Sequence, residues 1–406
     1  MPTMPEGQGI VVTGLGLVLP HGPGLAAADA VFAGRSAVAL LPDVPGIPDA
    51  AGAAVRGFAP PPYAAREDRA VQFALAAAEE AWAAAGLAHA GIARERIAAA
   101  VSLSKGCVPA IADLAARGGW NGEAGWLRGS PDAAARAVAA RLGLSGPTLV
   151  PVTACASGGH ALIWGAALVA RGRADAAVVG AAEASLHPLV IGSYRRMGVL
   201  ADAGADPAAS VRPFSATRRG FAIGEGAGIL VLESEASAAR RGAPVLARLA
   251  GWAAGAHGAG LAEMEPGGEA IERIMAAALA RAGVAPEQVD YVNAHGTATV
   301  GNDVVEAGAI RRALGRAADR ASVSSTKGAH GHLLGAAAAA ELVITVLAMQ
   351  RGLVPPTANL TDPDPAVDLD CTPLVPRRRP IGCAMKVAGG FGGQMLAVVL
   401  AAPGAR

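Results

Sequence analysis

The sequence predicts an α/β protein made of two related halves, each with a sheet of parallel type that is covered by helices. Apolar, β-prone runs alternate with amphipathic helical segments along the chain. The chain is also duplicated: the strand–turn–helix unit around Cys155 matches one around Lys327 and His332, and GEGAGILVLE (224–233) matches GGFGGQMLAVVLA (389–401). A linker-like composition near Gly242 divides the chain into residues 1–242 and 243–406.

In the first half, short β-branched or apolar runs predict strands, and apolar side chains at helical spacing predict helices. The predicted strands are 9–17, 97–103, 149–152, 174–180 and 224–233. The predicted helices are 68–85, 132–142 and 161–170, of which the first two end at Gly86 and Gly143. Residues 42–62 and 192–221 are predicted to be rich in loops.

The second half repeats this order of elements. The predicted strands are 245–252, 289–294, 321–326, 381–387 and 395–400. The predicted helices are 269–282, 303–314 and 333–350, and Gly283 ends the first of them.

Composition and charge exclude several classes of protein. Hydrophobic residues make up 52% of the chain and charged residues 17%, which excludes a disordered protein, and a net charge of +1 without a basic run argues against a nucleic-acid partner. The four cysteines form no CxxC pair, as expected in a reducing compartment. No signal peptide is recognised, and the longest apolar run, 333–349, contains Glu341 and is too short to span a bilayer. We expect a soluble cytoplasmic protein without membrane insertion.

Cys155 is a candidate nucleophile because it lies where a predicted strand turns into a helix. Such a turn lifts one side chain clear of the backbone, and the N–H groups at a helix N-terminus favour a thiolate over a thiol. A lone cysteine among Ala and Gly is more often a small buried hydrophobic residue. The other residues of the site have to decide between these readings.

Two histidines lie in Gly-rich turns at predicted strand ends, His295 in NAHGTAT and His332 in KGAHGHLLGA. Either one alone is more often structural than catalytic, but the carboxyl edge of parallel strands is where sites of α/β proteins collect. A zinc site at His330 and His332 is not expected, because no third ligand lies nearby in the sequence. We therefore predict no metal.

Lysine is scarce in this chain, since only three of the 34 Lys and Arg residues are lysines: Lys105, Lys327 and Lys386. A lysine at a given place is then more specific than an arginine would be. Glu341 lies in an otherwise apolar helix and needs a partner, because a buried charge is costly unless it is paired. We predict that Lys327 is that partner.

The Gly-rich loop, Gly389-Gly-Phe-Gly-Gly393, lacks the pattern of a phosphate-binding loop and leads into a strand. Its glycines allow backbone N–H groups to approach a reacting carbonyl, as in an oxyanion hole. Phe391 is the only aromatic residue in the loop and could act as a gate.

Together these segments resemble the elongating β-ketoacyl-acyl-carrier-protein synthases of the thiolase superfamily. The matching motifs are TACASG with Cys155, NAHGTAT-x3-D-x2-E with His295, Asp303 and Glu306, STKGAHGHLLGA with Lys327 and His332, GGFGG with Phe391, and RPFSATRRGFAIGEGAG (212–228). They occur in the family's order over residues 9–401. The resemblance implies a thiolase fold, with duplicated α/β halves in a five-layered α-β-α-β-α arrangement.

The resemblance also implies a mechanism. Cys155 would hold an acyl group, with its oxyanion between the backbone N–H groups of Cys155 and Phe391. His295 and His332 would donate hydrogen bonds to the enolate that forms when a malonyl thioester loses carbon dioxide. Lys327, held by Glu341, would orient the region of His332.

The resemblance makes Thr297 and Thr299 supporting residues of the site. No tightly bound cofactor is implied, because the substrates are carried on the phosphopantetheine arm of an acyl carrier protein. The other expected partner is a second copy of the chain or a chain-length-factor-like subunit, giving a homodimer or a heterodimer. A modest basic patch should receive the acidic carrier protein, and its candidates are Arg66, Arg69, Arg195 and Arg196.

The predicted reaction is a decarboxylative Claisen condensation, most consistent with specialised polyketide or polyene synthesis. Alternatives are housekeeping fatty-acid elongation, acyl transfer or decarboxylation without condensation, and a non-catalytic chain-length-factor-like partner subunit. Intact Cys155, His295 and His332 argue against the last of these.

Several positions depart from the family pattern. Val387-Ala388-Gly389 replaces the usual Asn-Ser-Phe, which should widen or loosen the gate, and Asn302 is more typical of polyketide ketosynthases. Ser215 and Arg219 stand where Asp is usual. His330 stands where Thr or Ser is common, and we expect it to face solvent rather than to modulate His332.

Overall fold

The computed structural model describes residues 9–42, 44–118 and 126–404. Ten strands form two sets of five, numbered here in chain order. The first set is β1 Ile10–Leu19, β2 Ile97–Ser102, β3 Thr148–Leu149, β4 Ala176–Glu183 and β5 Gly226–Ser234. The second set is β6 Ala247–Ala256, β7 Tyr291–Asn293, β8 Ser322–Ser324, β9 Cys383–Gly390 and β10 Gln394–Ala401. Additional short strands lie at 22–23, 39–40, 51–53, 223–224, 353–354 and 377–378.

The longer helices also follow the predicted order. They are α1 Arg69–Ala85, α2 Val108–Ala116, α3 Ala133–Leu142, α4 Ser157–Ala170, α5 Pro188–Arg196, α6 Glu269–Ala282, α7 Val300–Leu314 and α8 Ala337–Arg351. Shorter α-helices lie at 28–32, 126–129, 235–240 and 327–330. Helices α1 and α6 end at the predicted glycines, which have φ angles of 65° and 63°. Two of the longer helices were not predicted: α2, and α5, which begins before the predicted loop region and takes up its first residues.

The predicted duplication is confirmed strand by strand. The first set has the order β1-β5-β4-β2-β3 and the second the order β6-β10-β9-β7-β8. In both sets the first two pairings are antiparallel and the last two are parallel. Each strand of one set therefore corresponds to the strand numbered five higher.

The prediction of parallel sheets is wrong in part, because both sets are mixed. The connection between β9 and β10 is only three residues, 391–393, and so short a loop can join only antiparallel neighbours. The two sets are also not separate sheets, since β1 and β6 pair through Val11 with Arg248 and Val12 with Ala247. One continuous sheet path therefore connects both halves.

Helices cover and separate the two sets of strands in five layers. Helices α4 and α8 pack between the sets within one apolar cluster, α1 and α3 cover the outer face of the first set, and α6 and α7 that of the second. Side chains of β4 alternate accordingly: Ala177 and Val179 face the central helices, and Ala176 and Val178 face α1. The arrangement is that of the predicted thiolase fold.

Helix α8 explains the longest apolar run of the sequence. Residues Leu334–Arg351 are the one helix in the described part of the chain that is long and apolar enough to cross a membrane, and 89% of this segment is buried inside the protein. It is a core helix, apolar all round because it lies between two sets of strands.

Candidate active site

Cys155 lies at the tight turn that follows β3. The chain passes through Ala154, which has a positive φ of 48°, forms one turn of 3-10 helix and continues as α4 from Ser157. The hydroxyl of Ser157 accepts a hydrogen bond from the N–H of Thr153 at 2.9 Å and donates to the carbonyl of Ala154 at 2.7 Å. These bonds fix the turn, and Cys155, although only 5% exposed, lines a cavity of about 330 Å³.

Burial raises the pKa of the Cys155 thiol to about 11, and the nearby positive charges of Lys105 and Lys327 only partly oppose this effect. Loss of solvent around the sulfur therefore outweighs the surrounding charges, and the effect of the helix N-terminus on the thiol stays a prediction. Cys155 is a neutral thiol at neutral pH and needs a base when it reacts.

The imidazoles of His295 and His332 line the same cavity as Cys155. Their ring centroids are 5.6 Å apart and their planes meet at 82°. The N–H of Leu334 donates to Nδ1 of His332 at 3.2 Å, so the neutral ring carries its proton on Nε2. Two residues 37 positions apart thus converge on one space, as the sequence predicted.

Both histidines are uncharged at neutral pH. Burial lowers the pKa of His295 and of His332 well below the ordinary value, and the positive charge of Lys327 adds to the effect at each ring. Each ring can therefore both donate a hydrogen bond and accept a proton.

The predicted pair of Lys327 and Glu341 is present, with 2.6 Å between Nζ and Oε1, and both side chains are fully buried. Sequence reasoning missed the second partner of this carboxylate, Lys386, whose Nζ lies 2.6 Å from Oε2. The scarcity of lysine was the signal that could have found it. The two ammonium groups lower the pKa of Glu341 to about 2 although burial alone would raise it.

Buried acids hold the backbone of the NAHGTAT turn. Glu306 accepts hydrogen bonds from the N–H groups of His295 and Gly296 at 2.6 and 2.8 Å. Asp303 accepts from the N–H of Ala298 at 3.1 Å. The D-x2-E spacing places both carboxylates on one turn of α7 beneath the site.

Thr297 and Thr299 both line the cavity, and their hydroxyl oxygens are 2.9 Å apart. Thr299 also caps α7 by accepting a hydrogen bond from the N–H of Asn302 at 3.4 Å. The structure thus places both predicted supporting residues at the site.

The Gly-rich loop (389–393) touches the Cys155 turn directly. A Cβ atom added to Gly390 would lie 2.7 Å from the carbonyl oxygen of Thr153 and 3.1 Å from the nitrogen of Cys155, so only glycine fits there. This close approach brings the strand that precedes Phe391 against the backbone of the nucleophile.

Phe391 contacts aromatic residues that sequence reasoning missed. Its ring stacks on Tyr194, with centroids 5.9 Å apart, and Tyr194 meets Phe221 edge to face. Phe221 in turn packs against the ring of His332 at 4.8 Å. A row of aromatic rings therefore connects Phe391, the predicted gate, to His332.

The departure at 387–389 lies in the wall of the site. Val387 and Ala388 are buried, whereas Gly389 lines the cavity. A Cβ atom at Gly389 would lie 3.5 Å from Cδ2 of His295 and 3.0 Å from the sulfur of Met395. An added side chain here would crowd Met395, and the wider gate stays a prediction.

The expectation that His330 faces solvent is wrong, because the residue is fully buried. Its ring nitrogens are hydrogen-bonded to the hydroxyl of Thr326 (2.8 Å) and the carbonyl of Gly331 (2.7 Å). Burial lowers its pKa to about 4. His330 is therefore a neutral residue of the core with both nitrogens engaged, and no group of three potential metal ligands was found among residues 9–42, 44–118 and 126–404.

A second buried carboxylate, Glu183 at the end of β4, was also missed. It receives hydrogen bonds from Ser104 (2.5 Å), Lys105 (2.9 Å) and the backbone N–H of Gly335 (3.1 Å). Gly335 follows Leu334, which has a positive φ of 44°. The first half of the chain thereby holds the turn that leads into α8.

The four predicted docking arginines differ in how their charges are used. Arg195 is paired with Asp49 at 2.6 Å, and Arg69 with Glu225 at 3.2 Å. Arg66 and Arg196 are exposed. The role of this patch stays a prediction.

Comparisons with known proteins agree with this geometry. Residues 8–238 match the family described as beta-ketoacyl synthase, N-terminal domain, and residues 246–361 match the beta-ketoacyl synthase, C-terminal domain. The tetracenomycin polyketide synthase ketoacyl synthase alpha subunit of Streptomyces glaucescens is 36% identical over 97% of both chains. The 3-oxoacyl-[acyl-carrier-protein] synthase 2 of Coxiella burnetii is 35% identical over 97% of this chain and 99% of its own.

Solved structures show the same similarity. A type II polyketide synthase acyl-carrier protein in complex with its ketosynthase, bound to the hexaketide, superposes with a TM-score of 0.90 at 33% identity, over 97% of this chain and 99% of that one. The ishigamide ketosynthase/chain length factor superposes with a TM-score of 0.88 at 29% identity, over 98% of this chain and 100% of that one. With both family domains matched in order over most of its length, the chain belongs to the beta-ketoacyl synthase family.

Proposed function

We propose that the protein catalyses a decarboxylative Claisen condensation between an acyl group held on Cys155 and a malonyl thioester on an acyl carrier protein. The observation that carries this proposal is the single cavity lined by Cys155, His295 and His332, with both imidazoles neutral. A nucleophile and two uncharged hydrogen-bond donors are what the two half-reactions require.

In the first half-reaction the sulfur of Cys155 attacks the carbonyl carbon of an acyl thioester. A new C–S bond forms, the bond to the phosphopantetheine sulfur breaks, and the proton of Cys155 is transferred to the departing thiolate. The oxyanion would be held by the backbone N–H groups of Cys155 and Phe391. The close approach of Gly390 to the nitrogen of Cys155 supports this arrangement.

In the second half-reaction the malonyl C–C bond breaks, and carbon dioxide leaves without the bonding electrons. These electrons form an enolate, whose oxygen would receive hydrogen bonds from Nε2 of His332 and from the ring of His295. The α-carbon then attacks the acyl carbonyl carbon, and the sulfur of Cys155 leaves and regains a proton. The hydrogen bond from Leu334 to Nδ1 of His332 supports the donor role of Nε2.

The substrates would reach the site on phosphopantetheine arms, without a tightly bound cofactor. The cavity extends from Cys155 past Thr297 and Thr299 to the exposed residues Leu261 and Val300, and its volume suits a narrow, flexible group. Lys327 and Glu341 would not contact the substrate but would hold the turn that carries His295.

We assign the enzyme to specialised polyketide or polyene synthesis rather than to housekeeping fatty-acid elongation. The support is the replacement of the usual Asn-Ser-Phe by Val387-Ala388-Gly389 and the presence of Asn302, since Gly389 and Asn302 both line the cavity. Relatives of both kinds are equally similar, so the choice of acyl group is what distinguishes the alternatives. A non-condensing transferase or decarboxylase and a non-catalytic partner subunit are the other candidates that the experiment below separates.

The remaining parts of the proposal concern assembly. The protein would bind an acyl carrier protein through its basic surface and would form a homodimer, or a heterodimer with a chain-length-factor-like subunit. We place the division between its two halves at residues 242 and 243, between β5 and β6, which the duplicated strand order supports. A cytoplasmic location is supported by four buried cysteines that are all free thiols.

Intact-protein mass spectrometry with a panel of acyl carrier proteins tests the proposal. The wild type should gain the mass of one acyl group, Cys155→Ala should gain none, and addition of malonyl carrier protein should discharge the adduct into a β-ketoacyl product. An adduct without chain extension would favour the non-condensing transferase. No adduct on the wild type would remove the assignment of Cys155.

A further inference from the structure

Two buried lysines hold consecutive carbonyl groups at the turn that carries His295. Nζ of Lys386 donates to the carbonyl of Ala294 at 2.9 Å, and Nζ of Lys327 donates to the carbonyl of His295 at 2.6 Å. The two ammonium groups share Glu341, with one lysine 2.6 Å from each carboxylate oxygen. Neither lysine nor Glu341 is exposed to solvent.

The N–H groups of the same turn are held as firmly. Glu306 accepts from His295 and Gly296, so four consecutive backbone groups, from the carbonyl of residue 294 to the N–H of residue 296, each bond to a buried charged side chain. A backbone fixed in this way leaves the imidazole of His295 only the freedom of its own side-chain rotation.

The ammonium group of Lys386 contacts three polar groups. Its Nζ donates hydrogen bonds to Oδ1 of Asn293 at 2.8 Å and to the carbonyl of Ala294 at 2.9 Å. It also forms an ion pair with Oε2 of Glu341 at 2.6 Å. A buried lysine is tolerated only when it is paired and hydrogen-bonded. These contacts indicate a fixed position for the ammonium group.

We propose that Lys386 is a positioning residue for His295: it fixes the carbonyl before His295, and thereby the direction in which this imidazole meets the enolate oxygen. The inference rests on the proposed condensation. Cys155 lies in the turn after β3, and none of the four side-chain hydrogen bonds made by Lys386 and Lys327 reaches that turn. The contact between β9 and the Cys155 turn is made by Gly390 instead, at the end of that strand. Loss of Lys386 should therefore affect decarboxylation and spare acylation.

The test measures the two half-reactions separately in Lys386→Met, Lys386→Gln and wild type. Cys155 acylation is followed by intact mass, and decarboxylation by carbon dioxide release from malonyl carrier protein. Decarboxylation should fall ~10- to 100-fold in Lys386→Met, the size of effect expected from a misplaced catalytic group, and acylation should change by less than about twofold. Lys386→Gln should recover part of the loss, because its amide still donates hydrogen bonds.

Arg312→Met is the matched control, since it removes a cation from an ion pair with Glu272 on the half-exposed face of α7. Both half-reactions should be unchanged in this variant. Equal losses of acylation and decarboxylation in the Lys386 variants, or an unchanged release of carbon dioxide, would overturn the proposal.

The pH dependence of carbon dioxide release by the wild type gives a second readout. Burial lowers the pKa of Lys386 to about 8 against the opposing effect of Glu341, so the ammonium is lost above that pH. Carbon dioxide release should decline through pH 8, and the decline should be missing in Lys386→Met. The other ionisable groups that act on Lys386 or are acted on by it are Glu341, Lys327, Glu306, His295 and His332.

These outcomes distinguish a failure of the positioning role of Lys386 from a failure of the proposed condensation. If Lys386→Met and Lys386→Gln both fail to fold, a wild-type profile that is flat through pH 8 contradicts the positioning role, and a decline supports it. If the wild type neither accepts an acyl group nor releases carbon dioxide, the proposed condensation itself fails.

Discussion

The rings of His295 and His332 stand nearly perpendicular, at 82°, with their centroids 5.6 Å apart. The rings form an edge-to-face pair, and we expect their N–H groups to reach one oxygen atom in the cavity that both rings line. The geometry suits an enolate oxygen better than a shared metal ion, because Nδ1 of His332 already accepts a hydrogen bond from Leu334.

The first prediction separates the roles of His332 and Cys155. Replacing His332 with Ala removes one donor to the enolate oxygen, and decarboxylation should fall ~100- to 1000-fold while Cys155 is still acylated. Cys155→Ala should behave in the opposite way, with no acyl adduct but continued release of carbon dioxide. Single-turnover mass spectrometry and carbon dioxide release measure the two effects. Parallel losses in either variant would contradict the division of labour.

The second prediction concerns the resting state of Cys155. Because burial raises its pKa to about 11, alkylation by iodoacetamide should be slow at pH 7 and should accelerate up to about pH 11, as the thiolate fraction grows. Lys105→Met removes the charge that most lowers this pKa, so the profile should move to higher pH. Peptide mapping identifies the alkylated cysteine. A profile centred near pH 7 would show that Cys155 rests as a thiolate.

The third prediction uses the contact between Gly390 and the Cys155 turn. Gly390→Ala introduces a Cβ atom 2.7 Å from the carbonyl oxygen of Thr153, so the Gly-rich loop must move away from the turn. If that loop supplies an oxyanion donor, acylation should slow ~100- to 1000-fold. Gly258→Ala is the control, because nothing lies within 4 Å of its added Cβ atom. Equal acylation rates in Gly390→Ala and wild type would remove the Phe391 N–H from the oxyanion hole.

The fourth prediction concerns stability. Glu341→Gln leaves Lys327 and Lys386 buried without their shared carboxylate, and the free energy of unfolding should fall by ~3–5 kcal/mol, measured by chemical denaturation. The folded pKa of Glu341, about 2, lies below its ordinary value of 4.5. Its contribution is thus complete above pH 4.5 and is lost as pH falls towards 2. Wild type should lose more stability than Glu341→Gln over that interval, and equal losses would contradict the pairing.

The fifth prediction addresses docking of the carrier protein. Arg196 is exposed, whereas Arg195 is paired with Asp49, so the charge of Arg196 is the one that is open to an acidic partner. Arg196→Glu should weaken binding of the carrier protein severalfold, and added salt should reduce the difference. Arg240→Glu, at a different surface cavity, is the control. Surface plasmon resonance that shows equal affinities for both variants would exclude Arg196 from the docking site.

The sequence predicted those residues of the site that lie in recognisable turns at the ends of strands. Cys155, His295 and His332 each lie in a Gly-rich or small-residue turn after a β-prone run. The apolar composition of α8 predicted that Glu341 needs a partner, because an isolated buried charge is costly. Local patterns of this kind need no knowledge of distant contacts.

What the sequence could not predict depends on contacts between distant segments. His330 is fully buried in the folded chain. The local sequence, a single histidine in a Gly-rich turn, does not indicate that burial. Lys386 pairs with Glu341, which is 45 positions away in the sequence. It lies in a strand, between the apolar residues Met385 and Val387. The resting thiol of Cys155 likewise reflects solvent exclusion by the whole cavity rather than its helix alone.

The contact between Glu183 and Gly335 corresponds, in the duplicated strand order, to the contact between Gly390 and the Cys155 turn. Glu183 ends β4 as Gly390 ends the corresponding strand β9. Gly335 occupies the place of Cys155, since each is the second residue of a 3-10 turn that leads into a central helix.

The N–H of Gly335 is bound to a carboxylate oxygen, 3.1 Å away. This hydrogen bond pairs the N–H of the turn in the second half with a carboxylate oxygen. It resembles the pairing that we propose for the N–H of Cys155 and the oxyanion of the acyl group. Both turns begin with a residue of positive φ, Ala154 and Leu334, yet only one carries a thiol. The turn with a left-handed first residue thus binds a carboxylate through its second N–H group in one half of the chain, and carries the reactive sulfur at the same place in the other half.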